Sequence, residues 1–188
     1  MIDQPLIKTG RVRGLTIQRS YITETGPFTG GGWKLIWHTT EGGNMSSVLH
    51  TLRQKGAEVH FVIAPEIGLV EQMVRLNQYG KGLMHPAGTP ETNRANCIQV
   101  EIIGFAKDSP HWGEHIYRNL ARLALLIEHR VAIPRRVGRP FGTNVQRVTP
   151  AGFPRSAGHF GHEHVPNNDH VDPGAMRAKH LLNLMERV

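Results

Sequence analysis

Apolar residues along this chain fall into short runs and helically spaced stripes, separated by stretches rich in glycine, proline and charge. WKLIWH (33–38) is a compact apolar run ending on a histidine, which predicts a buried strand. In MSSVLHTLRQKG (45–56), Met45, Val48, Leu49 and Leu52 recur at helical spacing and Gly56 stands where a helix would stop. EVHFVIA (58–64) and GLVEQMV (68–74), joined by PEIG, predict a hairpin. CIQVEIIGF (97–105) alternates, so that Cys97, Gln99 and Glu101 share one face and Ile98, Val100 and Ile102 the other. From Trp112 to Val131 the set Trp112, Ile116, Leu120, Leu123, Ile127 and Val131 marks a long amphipathic helix ended by Pro134. A last helix is predicted over 173–188, with Pro173 in its first turn.

The connections differ in character from these elements. Residues 1–32, with RVRG and GPFTGGGW, read as an irregular arm leading into the first core strand, and 33–188 as the domain proper. The stretch 76–96 is polar, rich in Gly and Pro and long enough to be a functional loop, while 133–156 is irregular and basic. Strands interleaved with helices predict a single α/β domain, a mixed central sheet flanked by helices on both faces.

Composition narrows the chemistry. A chain of 188 residues, 39% hydrophobic, can bury roughly 70% of its unfolded surface in one core without staples. The single cysteine, Cys97, excludes an intramolecular disulfide and leaves histidine and carboxylate as the ligands for any metal. MIDQPLIKTGRVRG lacks the apolar core of a secretory signal, and no stretch approaches the ~20 apolar residues of a membrane span. The expectation is a soluble protein made in a cytosol, with no membrane insertion. A net charge of +7, with Arg135, Arg136 and Arg139 in one run, favours an anionic partner. No nucleic-acid-reading motif accompanies that charge, so a nucleic-acid partner is not expected.

The twelve histidines are the feature to explain. GHFGHEHVPNNDHVDPG (158–174) places four histidines and three acidic residues in a turn-like stretch, a composition core packing does not require. A catalytic zinc takes three protein ligands and leaves one position open, with ligands drawn from separate segments. His38, at the carboxyl end of the first core strand, is the natural distant contributor. Within the cluster, spacing alone leaves several triads open. Asp172, held extended before Pro173 and Gly174, has a suitable pose for a carboxylate ligand.

Four blocks in order, LIWHTTEG, EVHFVIAPEIGLVEQMV, CIQVEIIGF and GHEHVPNNDHVDPG, span 35–174. Their set resembles the zinc N-acetylmuramoyl-L-alanine amidases of the phage-lysin, bacterial and peptidoglycan-recognition-protein group, in particular the amidase domains of actinobacterial phage endolysins. The resemblance implies zinc ligands at His38, His162 and Asp172, with ten residues from His162 to Asp172, as in the branch that uses aspartate. It implies an acid–base role for Glu101, oxyanion stabilisation by His170 where many relatives carry lysine, and a possible substrate contact at His85. Val59 stands where relatives often carry tyrosine. The implied reaction hydrolyses the amide between the lactyl group of N-acetylmuramic acid and L-alanine in peptidoglycan, on the host wall after release from the cytosol. Zinc would acidify water and polarise the carbonyl, with Glu101 carrying the proton to the leaving amine. No oligomer is implied. The rivals are a peptidoglycan-binding module of the same fold that does not cut, and a basic nucleic-acid-binding protein.

Other candidates have blander readings. His60 is expected to pack beneath the site, and His159 and His164 to support it or lie on the surface. His50, His129 and His180 fall in predicted helices. Cys97 shares a face with Glu101 but lacks a specified base, so a buried thiol is expected.

Overall fold

The computed structural model describes residues 2, 4–83, 91–142 and 146–188. Its centre is a seven-stranded mixed sheet with strands β1 (Gly10–Val12), β2 (Leu15–Gln18), β3 (Lys34–Thr39), β4 (Phe61–Ala64), β5 (Leu69–Gln72), β6 (Cys97–Ile102) and β7 (Gly158–Gly161). Across the sheet they run β1-β2-β5-β4-β6-β3-β7. Among the described residues the three α-helices are α1 (Met45–Lys55), α2 (Glu114–Glu128) and α3 (Ala178–Leu184).

The alternation read from the sequence sets the two faces. β3 lies parallel to β6 with His38 opposite Glu101 and Ile36 opposite Gln99, so side chains at these positions leave the same face. Leu35, Trp37, Phe61, Ile63, Ile98, Val100 and Ile102 leave the other face and join α2 and α3 in the main core. The helical stripe from Trp112 to Ile127 is buried there throughout, as its spacing requires. Helix α1 covers part of the opposite face, where Val48 and Leu49 pack on Val59, Val62 and Met73.

Local chemistry explains the limits of α1. Asn44 accepts a hydrogen bond from the Ser47 amide (3.1 Å), and the Ser47 hydroxyl accepts one from the Asn44 amide (3.0 Å), a reciprocal cap at the first turn. Gly56 adopts φ 61°, the left-handed conformation that ends a helix at little steric cost to glycine. Helix α3 is shorter than its periodicity suggested, starting at Ala178 rather than 173. Gly174, at φ 69°, breaks helical continuity, and a Cβ there would stand 2.4 Å from the Ala106 carbonyl oxygen.

The N-terminal residues depart from the irregular reading. β1 and β2 form a hairpin whose second strand adds to β5 in parallel, and Ile7, Leu15 and Ile17 are buried in the main core. Residues 158–161, read as turn-like, form strand β7 beside β3.

Candidate functional site

Topology carries the first two site residues to one point. His38 and Glu101 are paired across adjacent parallel strands near their carboxyl ends. The third and fourth come from the segment after β7. A single 3-10 turn (His162–His164) turns His162 back over β3, and the Glu163 amide donates to the Asp172 carbonyl (2.9 Å), closing the loop that holds Asp172.

His38 Nδ1 lies 3.1 Å from His162 Nδ1 and 3.7 Å from Asp172 Oδ2, and His162 Nδ1 lies 3.4 Å from Asp172 Oδ1. All three residues are buried. The Thr39 amide donates to Asp172 Oδ2 (3.2 Å) and so fixes the carboxylate. Ligand atoms around a tetrahedral ion with bonds of about 2.0–2.1 Å stand about 3.3 Å apart, close to these separations. Two imidazole nitrogens facing each other beside a carboxylate, with no other described donor between them, fit the requirements of a divalent cation. The Nε2 atoms of both rings are buried without a partner among the described residues, so no protein contact there dictates a tautomer. The group can hold a metal ion.

Around this triad the electrostatics are uneven. Burial, then electrostatic interaction with the neighbouring His162 ring, pulls His38 down to about 3, so its ring is neutral and free to act as a ligand. Asp172 is held below the usual carboxylate range: burial works against ionisation, but hydrogen bonds from His162 and His170 outweigh it. Burial, followed by repulsion from Asp172 and Glu41, pushes Glu101 up to about 8. Its Oε1 lies 3.9 Å from His38 Nδ1, and its buried Oε2 has no partner among the described residues. A bound cation would oppose that rise by favouring the carboxylate.

His170 stacks on His162, ring centroids 4.0 Å apart, with Nδ1 3.2 Å from Asp172 Oδ1, a hydrogen bond that raises its pKa. Its carbonyl accepts from Arg147 (3.0 Å) and its amide donates to Asn168 Oδ1 (2.7 Å). A cleft of about 640 Å³ opens over these groups, lined by His38, Glu101, His162, His170 and Asp172 on one side and by α1 on another. His85 lies outside the described residues.

The remaining sequence candidates have structural partners. The His60 ring accepts from the Gln99 amide (3.0 Å) and donates to the Gln78 carbonyl (2.9 Å). His159 joins Trp37 Nε1 (3.3 Å) to Glu128 (2.9 Å), and His164 accepts from the Gly161 amide and donates to the Pro140 carbonyl, each at 2.8 Å. His50 and His129 are exposed, and His180 pairs with Glu114. The Cys97 thiol is buried, donates to the Thr92 and Ala95 carbonyls, and is pushed up to about 12 by burial, which leaves it without nucleophilic character. In the basic run, Arg135 pairs with Glu128, Arg136 donates to the Ala157 carbonyl and Arg139 to Gln146.

Two site residues escaped the sequence reading. Glu41, just past β3, accepts from Thr39 Oγ1 (2.7 Å) and the Ala106 amide (2.9 Å), tying the loop after His38 to the loop after Glu101. An acidic residue two positions beyond a strand end was the available signal. Lys55 also lines the cleft, and at a helix terminus it reads as an ordinary solvated lysine.

Among the described residues no helix is long and apolar enough to cross a membrane. No protein-family model and no curated protein matches the sequence. Solved structures do. The hydrolase AmiA of Staphylococcus aureus, in complex with its ligand, aligns with a TM-score of 0.60 at 13% identity over 93% of this chain and 83% of its own. A selenomethionine derivative of AmpD gives 0.60 at 14% over 96% and 98%. The N-acetylmuramoyl-L-alanine amidase LysC of Clostridium intestinale gives 0.55 at 12% over 90% and 97%. At such low identities the common property is architecture, and this chain has the α/β fold of these amidase structures across nearly its whole length.

Proposed function

We propose that this chain is a zinc-dependent N-acetylmuramoyl-L-alanine amidase acting on peptidoglycan, in the setting of a phage or prophage endolysin. The observation that carries the reading is the convergence of two buried imidazoles and one carboxylate, from two distant segments, beside Glu101 in an open cleft. The shared fold supports it.

His38, His162 and Asp172 would hold the zinc. Bound there, zinc supplies a Lewis acid for the scissile carbonyl and makes water acidic enough to lose a proton near neutral pH. Glu101, across the strand pair from His38, accepts that proton and delivers it to the departing alanine nitrogen. His170, oriented by Asp172 and by the contacts of its own backbone, donates a hydrogen bond to the oxygen on which negative charge develops. Thr39 keeps Asp172 aimed inward through its amide.

The test is digestion of actinobacterial peptidoglycan by the zinc-loaded protein, followed by identification of new chain ends. Amidase action releases amino-terminal alanine and frees the lactyl carboxyl in equal amounts. Wall binding without new ends would instead assign a binding module, and salt-sensitive binding to duplex DNA without wall digestion would favour the nucleic-acid reading.

A further inference from the structure

The cleft has a polarity that the metal group does not explain. β3 and β4 both run parallel to β6, so α1 must carry the chain from the carboxyl end of β3 back to the amino end of β4. The helix therefore lies along the sheet, and Ser47, Thr51 and Lys55, four positions apart, line one wall of the cleft together with Val48 and Leu52. Ala57 and Gly82 also line it.

Charge is divided along this axis. Glu41, Glu101 and Asp172 cluster with the metal group, and among the described lining residues Lys55 is the only lysine or arginine. Lys55 is exposed and makes no hydrogen bond or ion pair with another described residue. A cation carried into a cleft by a helix, in a lining that also contains apolar Val48, Leu52 and Ala57, suits an anion brought by the ligand.

Resting on the amidase reading, we propose that Lys55 is a specificity residue that binds a free carboxylate on the stem peptide and thereby sets which way the substrate lies. From Ser47 to Lys55 the helix rises roughly 12 Å. An extended peptide covers that span in about three to four residues. The carboxylate therefore belongs to the third or fourth residue beyond the scissile amide. The chemistry of the substrate assigns it to the peptide side: the lactyl carboxyl is consumed in the bond being cut, so the adjoining glycan carries no carboxylate. With the peptide running along α1 toward Gly82, the glycan leaves past the loop at Thr40–Gly43.

The experiment compares soluble muropeptides that differ only in the carboxyls of their third and fourth residues: all free, the third residue's side-chain carboxyl amidated, or the fourth residue's terminal carboxyl amidated. Wild type should show a KM roughly tenfold lower for the substrate with the recognised carboxylate free, at nearly equal kcat. Lys55→Gln should erase that preference, and Lys55→Arg should restore it. Calorimetric titration of the same peptides into the Glu101→Gln protein should give the same ranking without turnover. Equal KM for all three peptides with wild type, or a Lys55→Gln effect confined to kcat, overturns the assignment of Lys55 while leaving the reaction standing. Failure of wild type to cleave any of them overturns the amidase reading, and this inference with it.

Discussion

The two faces of one sheet make the instructive comparison. On the face under α2 and α3, strands β3, β4 and β6 present Leu35, Trp37, Phe61, Ile63, Ile98, Val100 and Ile102, all fully buried. On the face under α1, β3 and β6 present Lys34, His38, Gln99 and Glu101, and the helix covers only part of it. Successive residues of a strand thus serve different ends: one contributes burial free energy, the next holds a costly polar group in place. The covered face supplies the stability that lets the open one keep a carboxylate oxygen and two imidazole nitrogens without partners among the described residues.

Changes on alternate residues should separate function from stability. The largest effect is expected from Glu101→Gln, which removes the proton carrier while keeping shape. Turnover should fall about 10²–10⁴-fold, with metal content retained and thermal stability unchanged or raised, since a buried carboxyl is relieved. Turnover within a factor of about two of wild type would remove Glu101 from the mechanism. Three positions earlier on the same strand, Ile98→Ala should cost about 2–5 kcal/mol in denaturant unfolding through the cavity it leaves. The surviving folded protein should bind metal as wild type does.

The boundary between the faces has an acid limit of its own. His60 is pulled down to about 4, chiefly by burial, with the Gln78 carbonyl opposing. Its neutral ring already satisfies both nitrogens, and protonation would break the bond from the Gln99 amide. The unfolded chain gains this proton near pH 6.5 and the folded chain only near 4, so stability present above 6.5 is lost as pH falls through that window. The loss is about 3 kcal/mol at most by linkage. Imidazole NMR should show His60 neutral down to about pH 4, and a midpoint near 6.5 would contradict the geometry. The smallest effect should come from the lid of the open face: Asn44→Ala removes the α1 cap and should cost about 1 kcal/mol. A loss of turnover much beyond that change in stability would mean that the cap also orders the cleft.

How much of this was legible in the sequence follows from the range of each interaction. Period-2 alternation in 97–102 and helical spacing in 112–127 gave the core face, because those patterns are local. The stop of α1 was written at Gly56, whereas its cap at Asn44 went unread. The edge hairpin at 10–18 was missed: its strands are three and four residues long and owe their place to pairing with β5, a partner fifty residues away. Lys34 shows the same limit. It is fully buried, its Nζ donating to the Gly32 and Ser156 carbonyls, and no local pattern announces the second of these, brought from 122 residues away. The site was partly legible. Histidine density marked 158–174, but spacing left the triad open, and the choice of His162 depends on β7 and the turn after it, which aim His159 at Trp37 and Glu128 and His164 at the Gly161 and Pro140 backbone.

The central claim is that His38, His162 and Asp172 form one metal site. Zinc content per chain, measured on wild type and Asp172→Ala after dialysis against trace zinc, tests it directly. About one zinc per chain in wild type, falling to background in the variant, is the predicted result. Metal-free wild type, or a variant that keeps its full complement, would contradict it.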